Sequence, residues 1–128
     1  MKRDLSYYGA TDTGLARKNN EDTFSIAPVW GSDYLLMVVV DGCGGYEGGE
    51  VASTIARDEI VAFLTGYSKE ASRLSLLEDS VCIANNKIVR RRAENKKLSS
   101  MGCVLTAAII DQTNGLLLLS HVGDTRCY

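Results

Sequence analysis

The sequence predicts an α+β protein, and three observations carry that expectation. Two β-type runs, Phe24 to Val29 and Tyr34 to Val40, are separated by the four-residue turn Trp30-Gly31-Ser32-Asp33. Two segments of helical periodicity follow them. A second pair of β-type runs then flanks Asn114-Gly115, a dipeptide suited to a tight hairpin turn.

Taken in order, Leu5 to Gly14 carries Tyr7 and Tyr8 and is expected to form a strand leading into a loop ended by Asp12 and Thr13-Gly14. Arg17 to Asp22 is too polar to be an element and is expected to be a loop. Phe24 to Val29 resumes as a strand, and Pro28, the chain's only proline, places it at a sheet edge because proline cannot donate to a ladder. Leu35 to Val40 is uniformly apolar, the signature of a strand buried on both faces.

The first helix shows Ala52, Ala56, Ile60, Phe63 and Leu64 on one side and Glu50, Ser53, Thr54, Arg57 and Asp58 on the other, and it stops at Gly66. The second carries Leu74, Leu77, Val81, Ala84 and Ile88 at gaps of three and four. It ends in Arg90-Arg91-Arg92, cations that complement the helix dipole. This cluster, with Lys96 and Lys97, has no interleaved aromatic residues and reads as a solvated helix end, not a nucleic-acid patch. Cys103 to Ile110 and Leu116 to Val122 form the final meander.

Composition narrows the function. With 128 residues the chain suits one domain, and 14 basic against 16 acidic residues leave no field that would draw it to nucleic acid or an anionic membrane. The first ten residues lack an apolar signal core, and no stretch approaches the roughly 18 apolar residues of a membrane span, so a cytoplasmic location is expected. Cys43, Cys82, Cys103 and Cys127 show no metal-ligand spacing and are expected to be reduced thiols. Cys82, Cys103 and Cys127 read as small core residues, whereas Cys43 lies in a glycine-rich loop.

That loop is the most informative stretch. The apolar run ends in Asp41, and five glycines occupy the eight positions from Gly42 to Gly49. An acid directly after six apolar residues is costly unless something satisfies it. The glycines let the backbone turn sharply and let a carbonyl share a ligand with the carboxylate, the makings of an oxygen-only site for a hard divalent ion. A nucleotide cradle is the rival reading. It fails because Glu47 stands where GxGxxG needs its third glycine and no Lys-Ser/Thr follows for a P-loop.

Two further segments deliver charge at an element boundary: Arg17 with Glu21-Asp22, and Gly123-Asp124. Alone, Glu21-Asp22 reads as a solvated loop and Asp124 as a turn residue. If the flanking strands lie side by side, the carboxylates meet at one sheet end, where a cation must hold them together. Mg²⁺ or Mn²⁺ suits such donors, and Arg17 offers a planar fork for phosphate oxygens.

Assembled, these pieces resemble the metal-dependent PPM (PP2C-like) family of protein serine/threonine phosphatases in its bacterial form. The matching segments are Thr13 to Asp22, Val39 to Gly45, Gly49 to Ser53, Ala84-Asn85, Met101-Gly102 and His121 to Arg126, in family order along nearly the whole chain. The sequence differs at Cys43, where some members place a histidine, and at Gly102-Cys103-Val104, commonly Gly-Thr-Thr.

The resemblance implies part of a four-layer α-β-β-α sandwich with antiparallel sheets, and hydrolysis of phosphoserine and phosphothreonine proteins by metal-activated water. It implies that Asp41 bridges two Mg²⁺ or Mn²⁺ ions and that Gly42 lends one of them its carbonyl. Glu21 and Asp22 complete the shell or hold its waters, Asp124 serves a weaker third ion, and Arg17 binds the phosphate. A cognate serine/threonine kinase is an implied partner. Residues 1–128 are expected to be the N-terminal portion of a single domain whose C-terminal half lies outside the chain. On that reading the chain alone is inactive or weakly active. The alternative is a truncated, noncatalytic phosphoprotein-binding module.

Overall fold

The computed structural model describes residues 5–45, 47–66 and 72–128. The elements are β1 (Asp22–Val29), β2 (Tyr34–Cys43), α1 (Gly48–Gly66), α2 (Arg73–Glu94), a 3₁₀ turn at Lys96–Leu98, β3 (Gly102–Asp111) and β4 (Leu116–Val122). The strands form one antiparallel sheet in the order β1-β2-β3-β4. Sheet and helix pair are two of the four layers expected, and β1 with its Pro28 is an edge strand as the sequence predicts.

Helices and sheet pack through a narrow stripe. Ala52, Ala56, Ile60 and Leu64 of α1 are fully buried at a spacing of four, and Leu77, Ala84 and Ile88 of α2 continue the core. They meet the alternate residues Leu36, Val38 and Val40 of β2 and Leu105, Ala107 and Ile109 of β3. The two alanines near the start of the α1 stripe let the helix lie close to the strands. The β3–β4 hairpin is fastened at its turn by buried Asp111, which accepts hydrogen bonds from the backbone N–H of Thr113 and Asn114 and from Asn114 Nδ2.

Several expectations need correction. Residues 5–13 form no strand but run as an irregular segment over the sheet, close enough that a Cβ on Gly9 would meet the Phe24 ring at 2.4 Å. Close packing holds this segment without a ladder. β2 is not buried on both faces: Val39, on the face away from the helices, is 52% exposed, and Leu117 and Leu119 of β4 share that open face. Ser53 lies in the core, its hydroxyl donating to the Glu50 carbonyl, while Leu74 in the first turn of α2 is exposed. Cys82 and Cys127 are exposed and only Cys103 is partly buried, so two of the three expected core cysteines lie at the surface. Tyr46 of the glycine-rich run lies outside the described residues.

Candidate metal and phosphate site

β1 and β2 each run further than their hydrophobic patterns suggest. β1 begins at Asp22 and β2 continues through Asp41, Gly42 and Cys43, so Asp41 stands in a ladder and not in a loop. The register pairs Asp22 with Asp41 and Asp41 with Val104. Strand alternation then puts both carboxylates on the open face, the side turned away from α1 and α2.

Their electrostatics report the crowding. Asp41 keeps solvent access, yet partial desolvation at the strand end raises its carboxyl above the ordinary carboxylate range. The opposed Asp22 charge, a hydrogen bond shared with Asp22 and the Asp124 charge push in the same direction, and Arg17 alone pulls back. Three of the other sequence-predicted residues, Arg17, Asp22 and Asp124, are therefore within electrostatic reach of Asp41. All four are open to solvent.

Glu21 is placed differently. Its carbonyl accepts the Gly42 N–H at 3.1 Å, and its carboxyl lies against the start of α1, where a Cβ on Gly49 would stand 2.6 Å from Glu21 Cδ. The positive end of a 19-residue helix favours a carboxylate there. Gly42 is pinned in the same contact, since a Cβ on it would fall 2.0 Å from the Gly49 carbonyl oxygen. The glycines thus bring β2, the β1 entry and the α1 N-terminus together. Gly44 adds a left-handed turn (φ 129°) over Met101.

The donor set is carboxylate and carbonyl oxygen. Two carboxylates opposed across neighbouring strands repel each other, and a hard divalent cation would relieve that repulsion. Asp22, Asp41 and the adjoining Gly42 backbone bring oxygen atoms to this strand end. Among the described residues, however, no three His, Cys, Asp or Glu side chains converge tightly enough to form a complete ligand cluster. A cleft of about 350 Å³ opens beside Asp22 and Asp41, between residues 8–11 and the open sheet face. A larger groove, about 1010 Å³, runs between α1 and α2 and contains none of Arg17, Asp22, Asp41 or Asp124.

Cys43 is exposed at the end of β2, while burial, followed by the nearby Cys43 and Asp41, pushes the Cys103 thiol up to about 11. Cys103 is therefore a protonated, unreactive thiol at neutral pH. The sequence reading gave no role to Thr106, which is buried in β3 and bonds both His121 and Thr125. The available signal was a polar residue recurring in otherwise apolar strands.

Comparison with known proteins identifies the family. Residues 16–128 match the family model for Protein phosphatase 2C. The serine/threonine protein phosphatase PstP of Mycobacterium tuberculosis is 34% identical over 124 residues, covering 97% of this chain and 22% of that protein. The serine/threonine phosphatase Stp of Listeria monocytogenes is 31% identical over 125 residues, covering 92% of this chain and 47% of its own length. Among solved structures, the catalytic domain of PstP in complex with two manganese ions superposes with a TM-score of 0.71 at 31% identity, over 88% of this chain and 45% of that one. The chain spans less than half the length of these relatives. Among the described residues, no helix is long and apolar enough to cross a membrane. With its carboxylates aligned at one sheet end and a family match running from Ala16 to Tyr128, the chain belongs to the protein phosphatase 2C family.

Proposed function

We propose that this chain supplies the phosphate-binding arginine and part of the metal shell of a protein serine/threonine phosphatase acting on phosphoserine and phosphothreonine proteins. The observation that carries the reading is the β1–β2 register, which opposes Asp22 to Asp41 on one face, with Arg17 and Asp124 acting on the same carboxyl. Asp41, Asp22, Asp124 and the Gly42 carbonyl would hold Mg²⁺ or Mn²⁺ (two ions and a weaker third), with Glu21 at the rear of the shell. The chemistry that divalent ions supply in such a site is acidification of a water and neutralisation of phosphoryl oxygens.

The chain's own residues do the rest. Arg17 offers two parallel N–H donors to the phosphate, fixing its orientation. Asp41 and Asp22 concentrate negative charge where cations bind, and the contact of Gly42 with Gly49 fixes the height of the Asp41 backbone. No side chain here is asked to form a covalent intermediate. A cytoplasmic setting and a cognate kinase belong to the same reading.

The test is Mn²⁺ binding and phosphothreonine-peptide hydrolysis by the purified chain, with and without chelator and with Asp41→Asn as control. Weak binding that depends on Asp41, with at most trace hydrolysis, is expected because the shell is partial. Mn²⁺ binding unchanged by Asp41→Asn would overturn the site. A second reading, a noncatalytic phosphoprotein-binding module, is favoured by the absence of a complete ligand cluster among the described residues. It requires phosphopeptide binding without metal.

A further inference from the structure

Three polar side chains interrupt the apolar part of the open face. Thr106 is 6% exposed in β3, and the register sets His121 of β4 opposite it. Thr106 Oγ1 lies 2.8 Å from His121 Nδ1 and 2.7 Å from Thr125 Oγ1, and His121 Nε2 lies 2.7 Å from the Gly123 carbonyl oxygen.

The donors and acceptors follow once the ring is taken as neutral. A carbonyl only accepts, so Nε2 carries a proton and donates to Gly123. In the neutral ring Nδ1 then accepts, and the Thr106 hydroxyl donates to it. Thr106 Oγ1 still has a lone pair, to which the Thr125 hydroxyl donates. Each hydrogen in the series has one acceptor, and the series closes on a buried oxygen.

This places ties on both sides of one residue. Gly123 is held by His121 and pressed onto β3 with φ 93°, where an added Cβ would stand 2.1 Å from Val104 Cγ1. Thr125 is tied to Thr106. Asp124 lies between them and, among the described residues, makes no hydrogen bond or ion pair of its own. Val104 is the register partner of Asp41, so the clamped turn sits beside the Asp22–Asp41 pair.

We propose that Thr106, His121 and Thr125 form a hydrogen-bonded strut that holds Asp124 beside Asp22 and Asp41 for cation capture, making Thr106 and His121 positioning residues. The inference rests on the cation reading above. A strut that merely stabilised the end of β4 would leave the same bonds but no specific link to Asp124.

Thr106→Val removes the shared hydroxyl with little change of shape, and Thr106→Ser restores it. Mn²⁺ affinity is measured by water-proton relaxation for the wild-type chain, these two variants, Asp124→Asn and Thr106→Val/Asp124→Asn. Loss of an outer partner commonly weakens metal binding by about tenfold or more, so Thr106→Val is expected to weaken Mn²⁺ about tenfold, with recovery in Thr106→Ser. In the Asp124→Asn background the same change should cost less than about twofold, because the group it positions has lost its charge. Equal losses in both backgrounds, or no loss in either, would overturn the inference.

A metal-free measurement keeps the two claims apart. His121 is the chain's only histidine, so its ring nitrogens give unambiguous NMR signals. The wild type should show a protonated Nε2 and a bare Nδ1, and Thr106→Val should loosen the Gly123 and Asp124 amides in heteronuclear relaxation. Unchanged order at those amides refutes the strut even if Asp41→Asn abolishes Mn²⁺ binding. Loosened amides in a chain whose Mn²⁺ binding ignores Asp41 and Asp124 would refute the cation reading and, with it, the purpose assigned to the strut.

Discussion

Gly42→Ala probes the contact that joins the sheet to the helix layer. The new Cβ would stand 2.0 Å from the Gly49 carbonyl oxygen, 2.6 Å from the Gly49 carbonyl carbon and 2.7 Å from the Glu21 carbonyl oxygen. All three neighbours are backbone, so no flexible side chain can swing away. Overpacking of this kind costs about 1–3 kcal/mol, and loss of the 3.1 Å Gly42 N–H to Glu21 bond adds about 1 kcal/mol. Alanine recovers about 0.5–1 kcal/mol through its smaller entropy loss in a strand. The net is a destabilisation of about 1–3.5 kcal/mol, or a fall in Tm on the order of 10 °C for a domain of this size. Thermal and urea unfolding followed by circular dichroism measure it, with Gly45→Ala as control, since a Cβ there meets nothing within 4 Å. A Gly42→Ala protein that melts with the wild type would refute the claim that this contact is tight.

Asp41→Asn should raise Tm in metal-free buffer at neutral pH while removing Mn²⁺ binding. The folded carboxyl is raised above its ordinary value, so its favourable contribution is present at low pH and is lost as pH rises through the raised value. The advantage of the variant should therefore vanish in acid, and a gain that persists there would contradict the assignment. Arg17→Ala should weaken phosphothreonine-peptide binding about tenfold with Mn²⁺ present, the loss expected for a charge-assisted pair, while Mn²⁺ affinity in calorimetry stays the same. At the hairpin, the hydrogen bond from Asn114 heads the causes that hold the Asp111 carboxyl below the ordinary range. The stability this brings is present above that range and lost as pH falls through the lowered value. Asn114→Ala should consequently melt lower than wild type at pH 7, and the gap should close in acid; a gap independent of pH would place the effect in the turn backbone instead.

The parts of the fold that the sequence made legible are those where one physical cue dominates. The α1 stripe of Ala52, Ala56, Ile60 and Leu64, the Asn114-Gly115 turn and the edge position of Pro28 follow from periodicity, turn chemistry and a missing donor. Asp41 stands out in the sequence as a candidate because the cost of an acid directly after an apolar run is local. The extension of β2 through Gly42 and Cys43 was not legible, because ladder bonds from β1 and β3 override the poor strand preference of glycine. Ser53 was misassigned because its hydroxyl bonds the helix backbone and so enters the core satisfied. The direction of Glu21 depended on a long-range contact with Gly49, and the exposure of Cys82 and Cys127 on packing that no local pattern records.

The four consecutive leucines of β4, Leu116 to Leu119, give the strand almost no hydrophobic instruction about which face is which. A one-residue slip against β3 would exchange leucine for leucine, and burial energy would scarcely register the error. Correct alignment must instead be read from the polar ends, the Asp111–Asn114 turn at one and the His121–Thr106 pair at the other. These act as address labels on an otherwise ambiguous tape. A misread label would carry Asp124 about 3.4 Å along the sheet relative to Asp41.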